Sequence, residues 1–139
     1  MADYWGHWLK MGEREDAQLP KIFYVNWFRK NDEGKFMWPG FGENSRVLKW
    51  VFERCEGTTE AVETPIGNLP DFDGLDFSNL ELNDSAKATL LRVDIDGWLQ
   101  EIPLIREYYK SFGERLPSQL NDEIERLQKQ LETAKQAAT

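Results

Sequence analysis

Val25-Asn26-Trp27-Phe28-Arg29-Lys30-Asn31-Asp32-Glu33-Gly34-Lys35-Phe36-Met37-Trp38-Pro39-Gly40-Phe41-Gly42-Glu43-Asn44-Ser45-Arg46 is the stretch that decides how this chain is read. With the four residues before it, the run 21–28 is β-branched and aromatic, the composition of a strand. Arg29 to Gly34 is a polar turn ending in glycine. Lys35-Phe36-Met37-Trp38 reads as a short return strand, so a hairpin is expected. Pro39-Gly40-Phe41-Gly42 then breaks regular structure before a helix over 44–56, for which Asn44 is the expected N-cap and Gly57 the expected C′ residue.

Three phenylalanines punctuate this stretch. Phe28 closes the strand, Phe36 lies across the turn, and Phe41 stands between two glycines and a proline. Glycine lets a backbone approach a ligand closely, and Phe41 is expected to be exposed. Two rings on opposite sides of a gap hold a planar heterocycle, a stacking worth about 1–3 kcal/mol per base. The helix start adds polar readout. The N–H groups near Gly42, Glu43 and Asn44 lie in a first turn with no intrahelical partners. Fixed donors suit the O6 acceptor of guanine and repel the amino group of adenine. The Asn44 amide reaches the same edge but is free to flip. An aromatic hairpin packed on a helix, with no ligand, fits the same residues.

Outward from the centre, residues 2–12 read as a helix, with Tyr4, Trp8 and Met11 on one face and Asp3 as a candidate cap. Its start at residue 2 has no lead-in, which suggests a piece of something longer. His7 is expected to be packed or interfacial. Residues 13–20 read as loop. In the helix 44–56, Val47, Leu48, Val51, Phe52 and Cys55 form the expected apolar stripe, which makes Cys55 a buried packing residue. Residues 58–82 are irregular, with one short strand over 61–64. Asp71 to Asp76 lacks the ligand spacing of a calcium loop. A short helix opens at Asp84-Ser85. Asp94 caps a helix running to about residue 112, which Pro103 should kink or divide. Pro117 starts a last helix. There Leu116, Leu120, Ile124, Leu127 and Leu131 form a stripe that packs on a body or on a partner helix, and residues 132–139 should fray.

Composition narrows the function classes. The 139 residues suffice for one core, and six Trp, eight Phe and four Tyr make 13% of them. Aromatics fill cores and also stack on planar ligands. The formal net charge of -8 argues against nucleic acid and against anionic membranes. With one Cys and one His, no Cys/His zinc site forms. Met1-Ala2-Asp3-Tyr4-Trp5 has no signal-peptide pattern, and the cytoplasm is the expected compartment.

The segment Lys21 to Arg46, above all Val25-Asn26-Trp27-Phe28 and Trp38-Pro39-Gly40-Phe41-Gly42-Glu43-Asn44-Ser45-Arg46, resembles the guanine-binding segment of GTP-dependent phosphoenolpyruvate carboxykinases. Asp3-Tyr4-Trp5-Gly6-His7-Trp8-Leu9, Ala61 to Gly67 and Phe112-Gly113-Glu114-Arg115-Leu116-Pro117 share the family's look. The resemblance implies a mixed α/β, helix-rich part of the carboxy-terminal lobe with a short β-hairpin. It implies a single carboxy-terminal fragment: a guanine-binding region over 1–57, an irregular segment with a short helix over 58–92, and C-terminal helices over 93–139. It places the base between Phe28 and Phe41, with Phe36 alongside and Gly42, Glu43 and Asn44 at the base edge. The family reaction interconverts oxaloacetate plus GTP with phosphoenolpyruvate, GDP and carbon dioxide, and takes part in gluconeogenesis. It uses manganese at the active site and magnesium with the nucleotide.

Family enzymes are several times longer. This chain has no glycine-rich phosphate loop of the G-x-x-x-x-G-K spacing, no Lys/His/Asp metal set, and no identifiable catalytic residue. The expected partners are a guanine nucleotide and the rest of a carboxykinase chain. The fragment alone is expected to be inactive, to bind no metal, and to dimerise through exposed Trp- and Leu-rich faces. The competing reading is a non-catalytic interaction module that uses the leucine stripe of the last helix. A single-strand nucleic-acid binder is disfavoured by charge.

Overall fold

The chain folds as a helix-rich assembly with one small antiparallel hairpin, as a computed structural model describing residues 1–138 shows. It divides into two units. One is continuous, Lys21–Val93; the other combines Met1–Pro20 with the chain from Asp94 onward.

The continuous unit begins with the extended run from Lys21. The sequence predicts a paired strand here. Instead, residues 21–26 have no strand partner among the described residues, and the expected hairpin shrinks to a single antiparallel bridge, Lys30 with Phe36. The turn itself forms as expected. Asn31 N–H donates to the Lys35 carbonyl (2.9 Å) and Met37 N–H to that of Arg29 (2.8 Å). The Asn31 side chain accepts from the Glu33 and Lys35 N–H groups. A turn closes on local contacts alone, whereas a strand needs a neighbour, and this unit supplies none.

Helix α1 (Ala2–Gly12) belongs to the other unit; here α2 (Asn44–Glu56) follows a 3-10 turn, Phe41–Glu43. The N-cap position is therefore Glu43 rather than Asn44. Gly57 ends α2 in the left-handed region, φ 74, as expected. The buried face of α2 runs through Val47, Trp50 and Val51. Leu48, Phe52 and Cys55 are exposed, so the helix is rotated relative to the predicted stripe and Cys55 is not a buried residue. The core is Trp38, Trp50, Leu75 and Phe77, with Phe23, Trp27 and Leu90 packed around it. Phe23 meets Trp50 edge-on at 6.1 Å.

The strand expected over 61–64 appears as β1 (Val62–Thr64). Its partner β2 (Gly67–Leu69) follows a two-residue turn, with Thr64 opposite Gly67. The Thr64 hydroxyl donates to the Gly67 carbonyl at 2.6 Å. Helix α3 (Asp84–Leu91) is capped by Asn83, whose side chain accepts from Ala86 N–H at 2.8 Å.

The second unit is built on α1, α4 (Ile95–Lys110) and α5 (Ser118–Ala137). Asp94 caps α4 by accepting from Gly97 N–H at 3.0 Å. Pro103 does not divide α4, which stays one helix with its proline on the exposed side. Helices α4 and α5 pack against each other in antiparallel fashion. Lys135 reaches Asp96 (2.6 Å) at one end, and Arg106 donates to Gln128 (3.1 Å) nearer the middle. The leucine stripe packs within this unit: Ile124 is buried and Leu131 is 0% exposed. Full burial of such a side chain contributes about 1.5–3 kcal/mol. Residues 132–137 continue the helix rather than fray; Thr139 lies outside the described residues.

Trp5 anchors α1, its ring 4.9 Å from Phe112 and 5.7 Å from Tyr109. Burial is the main cause that pushes the Tyr109 phenol above its ordinary range, with Tyr108 and Glu123 adding to it. Tyr4, Trp8 and Met11 do share a face of α1, but it is the exposed one. His7 is likewise exposed and not packed. Met1 holds the N-cap position with no side-chain cap, so Asp3 does not serve there.

Candidate functional site

Three exposed rings mark the connection between the turn and α2. Phe28 is 72% exposed, Phe36 58% and Phe41 99%. Phe28 and Phe36 meet edge to face, with centroids 5.9 Å apart and planes at 61°. The Lys30 ammonium sits 5.1 Å from the Phe36 centroid, in cation–π range. Phe41 makes no ring contact with another aromatic among the described residues. The structure thus joins two of the three predicted rings and leaves the third in solvent. Neither Phe28 nor Phe41 turns inward to fill the space of the other.

The backbone explains why Phe41 stands out. Gly40 has φ 76 and ψ -168, a region open essentially to glycine alone. Phe41 follows at φ 49, left-handed and unfavourable for an aromatic residue. The Gly40 carbonyl accepts from Glu43 N–H at 3.1 Å, which closes the 3-10 turn and holds this conformation.

The same turn changes the expected polar readout. Glu43 N–H is engaged by Gly40, and Asn44 N–H by the Gly42 and Phe41 carbonyls. Of the three predicted backbone donors, only Gly42 N–H has no partner among the described residues. Asn44 gains what the backbone loses. Its Oδ1 accepts from the indole N–H of buried Trp38 at 2.9 Å. That bond fixes the amide orientation, because the opposite flip would set two donors face to face. Its Nδ2 donors then remain for another acceptor. The role of Trp38 as the residue that orients Asn44 is invisible in sequence; a Trp six residues ahead of an Asn carries no recognisable signature.

Arg46 ties the turn to the rest of the unit. Its guanidinium pairs with the Glu43 carboxylate and with Asp76, at 3.2 Å from Asp76 Oδ1 and from its carbonyl. Asp76 also accepts from the hydroxyl (2.6 Å) and N–H (2.9 Å) of Ser78. The Ser78 bonds hold the Asp76 carboxyl below its ordinary range, with Arg46 adding to the effect. Glu43 is therefore an ion-pair partner of Arg46. Among the described residues no three His, Cys, Asp or Glu side chains gather as a metal set. No helix among the described residues is long and apolar enough to cross a membrane.

A family profile described as the phosphoenolpyruvate carboxykinase C-terminal P-loop domain matches residues 1–130. Three relatives are each named phosphoenolpyruvate carboxykinase (GTP). That of Treponema pallidum subsp. pallidum is 51% identical over 140 residues, covering 99% of this chain and 23% of the relative. That of Neocallimastix frontalis is 49% identical, covering 96% and 22%, and that of Chlamydia pneumoniae 47%, covering 94% and 22%. The chain belongs to the GTP-dependent phosphoenolpyruvate carboxykinase family. It spans a little under a quarter of the length of these relatives.

Proposed function

We propose that this chain is the guanine-gripping part of a longer carboxykinase, which converts oxaloacetate and GTP to phosphoenolpyruvate, GDP and carbon dioxide in gluconeogenesis. The base lies between Phe28 and Phe41, with Phe36 alongside. The Asn44 Nδ2 and Gly42 N–H donors face the O6 acceptor of guanine, where adenine presents an amino group instead. A buried mismatch of donor against donor costs about 1–3 kcal/mol, enough to select between the purines.

The observation that carries this reading is the strained, solvent-facing Phe41. A ring that buries nothing gives no folding reason to tolerate a left-handed backbone, and such strain concentrates at ligand sites. The phosphates, the metals and the substrate are held by the rest of the polypeptide. The fragment alone is inactive and binds nucleotide weakly. It works in the cytoplasm, and free of the rest of the carboxykinase it self-associates through its exposed apolar faces.

Titration of tryptophan emission tests the base site. Trp27 precedes Phe28 and Trp38 stands between Phe36 and Phe41, and GDP should change their emission where ADP at equal concentration does not. Equal responses to both nucleotides would reject guanine selection by Asn44. No response to GDP up to millimolar concentration would reject an autonomous base site.

A further inference from the structure

A side-chain amide offers opposite things in its two orientations. With Nδ2 forward, Asn44 donates, which suits the O6 of guanine. With Oδ1 forward it accepts, which suits the 6-amino group of adenine. The two orientations have almost the same shape, so an asparagine left to itself selects neither purine. The one side-chain hydrogen bond of Asn44 among the described residues comes from the Trp38 indole N–H to Oδ1, at 2.9 Å. An indole is a donor only. It therefore favours one orientation of the amide and opposes the other, where a hydroxyl would serve both. The indole has little room to yield. Trp38 is 7% exposed and sits in the cluster with Trp50, Leu75 and Phe77. Flipping the amide would set Nδ2 against that N–H and leave a buried donor without its acceptor, a costly exchange.

We propose that Trp38 is the specificity-determining residue of the base site: it holds Asn44 as a donor, so the choice of purine is set in the core behind the base. Trp38 is a positioning residue and touches no ligand. The assignment deepens, and rests on, the reading that a guanine base lies against Asn44. Without the indole N–H the amide turns freely and Oδ1 is orphaned, and the amino group of adenine supplies the missing donor. GDP then loses only the fixing of one orientation out of two, about a 2-fold effect. ADP meets an acceptor where it met a donor, so its affinity rises by about 5- to 140-fold. Selectivity is lost through tighter ADP binding, whereas a core that merely loosened would weaken both nucleotides together. The Gly42 N–H is main-chain and cannot turn, so part of the preference remains.

The test is titration of this chain with GDP and with ADP, followed by the amide NMR signals of Phe41 and Gly42. The samples are the parent, Trp38→Phe, the chain with Trp38 replaced by benzothienylalanine, Trp50→Phe and Asn44→Ala. Benzothienylalanine keeps the bicyclic ring and puts sulfur in place of its N–H, so the core stays filled should the phenylalanine variant fail to fold. Tighter ADP binding in the Trp38 variants, with GDP within about 2-fold of the parent, supports the assignment. Trp50→Phe takes an indole from the same cluster without touching Asn44 and should keep the parent's ratio of affinities. An equal loss of preference in Trp50→Phe overturns the assignment in favour of a loosened core, as does a joint weakening of both nucleotides in the Trp38 variants. If Asn44→Ala reduces the preference for GDP while both Trp38 variants keep it, the assignment falls and the guanine reading stands. A parent chain that binds GDP and ADP alike, or binds neither, overturns that reading and the assignment with it.

Discussion

Replacing Phe41 with glycine separates the cost of holding the ring from its use. The φ of 49 at Phe41 costs an L-residue about 1–2 kcal/mol, and glycine adopts it freely. The ring is 99% exposed, so its removal forfeits essentially no burial. Against the relief stands the greater freedom of glycine in the unfolded chain, about 0.5–1 kcal/mol. The two nearly cancel, and Phe41→Gly should fold with a stability within about 1 kcal/mol of the parent, on the stabilised side. Binding should behave differently. One lost stacking face removes about 1–3 kcal/mol, so GDP affinity should fall by about 5- to 140-fold. Urea unfolding followed by tryptophan emission reads the first quantity, and GDP titration of the same samples reads the second. A loss of stability above about 2 kcal/mol would mean the ring packs on the protein, contrary to its exposure. Unchanged GDP affinity would refute the stacking role.

Trp38→Phe and Trp50→Phe make the same chemical change in one core with different results. Trp38→Phe orphans Asn44 Oδ1, whereas Trp50 carries a buried indole N–H with no partner among the described residues, so its loss removes a penalty. The first should cost about 1–3 kcal/mol more than the second by urea unfolding. Leu131→Ala should destabilise the α4–α5 pair by about 2–5 kcal/mol, read as a lower thermal midpoint by circular dichroism. Acid should weaken both units. Ser78 lowers the Asp76 carboxyl and Arg126 that of Glu123, so the stability they contribute is present above the ordinary carboxylate value of about 4. It is lost as pH falls through the lowered values. Urea midpoints measured from pH 6 to pH 3 should fall toward the acid end, and Asp76→Asn should flatten that limb.

Helix ends marked by a single residue type are legible in the sequence. Asp94 caps α4 and Gly57 ends α2, because a cap is decided by the residue and its next three neighbours. The facing of α2 is not legible. Leu48, Phe52 and Cys55 are as apolar as Val47 and Val51, and only tertiary packing reveals that Trp50 turns inward. Gly67-Asn68-Leu69 has a poor strand composition, and its pairing comes from the turn that sets it opposite Val62–Thr64. At the candidate site, the exposure of Phe41 is readable from the glycines and proline around it. The 3-10 turn that engages the Glu43 and Asn44 N–H groups is not, since it depends on the φ and ψ that Gly40 adopts. Nor is the orientation of Asn44, which hangs on a tryptophan from another turn of the chain.

The division of the chain sets an order for its birth. The unit Lys21–Val93 is continuous, so all of it is synthesised before α5 is begun. The other unit is assembled from the two ends, and α1 must wait for Tyr109 and Phe112 before Trp5 has anything to rest on. At about 5–20 residues per second, that leaves α1 uncovered for several seconds during synthesis, its Trp5 open to chaperones or to neighbouring nascent chains.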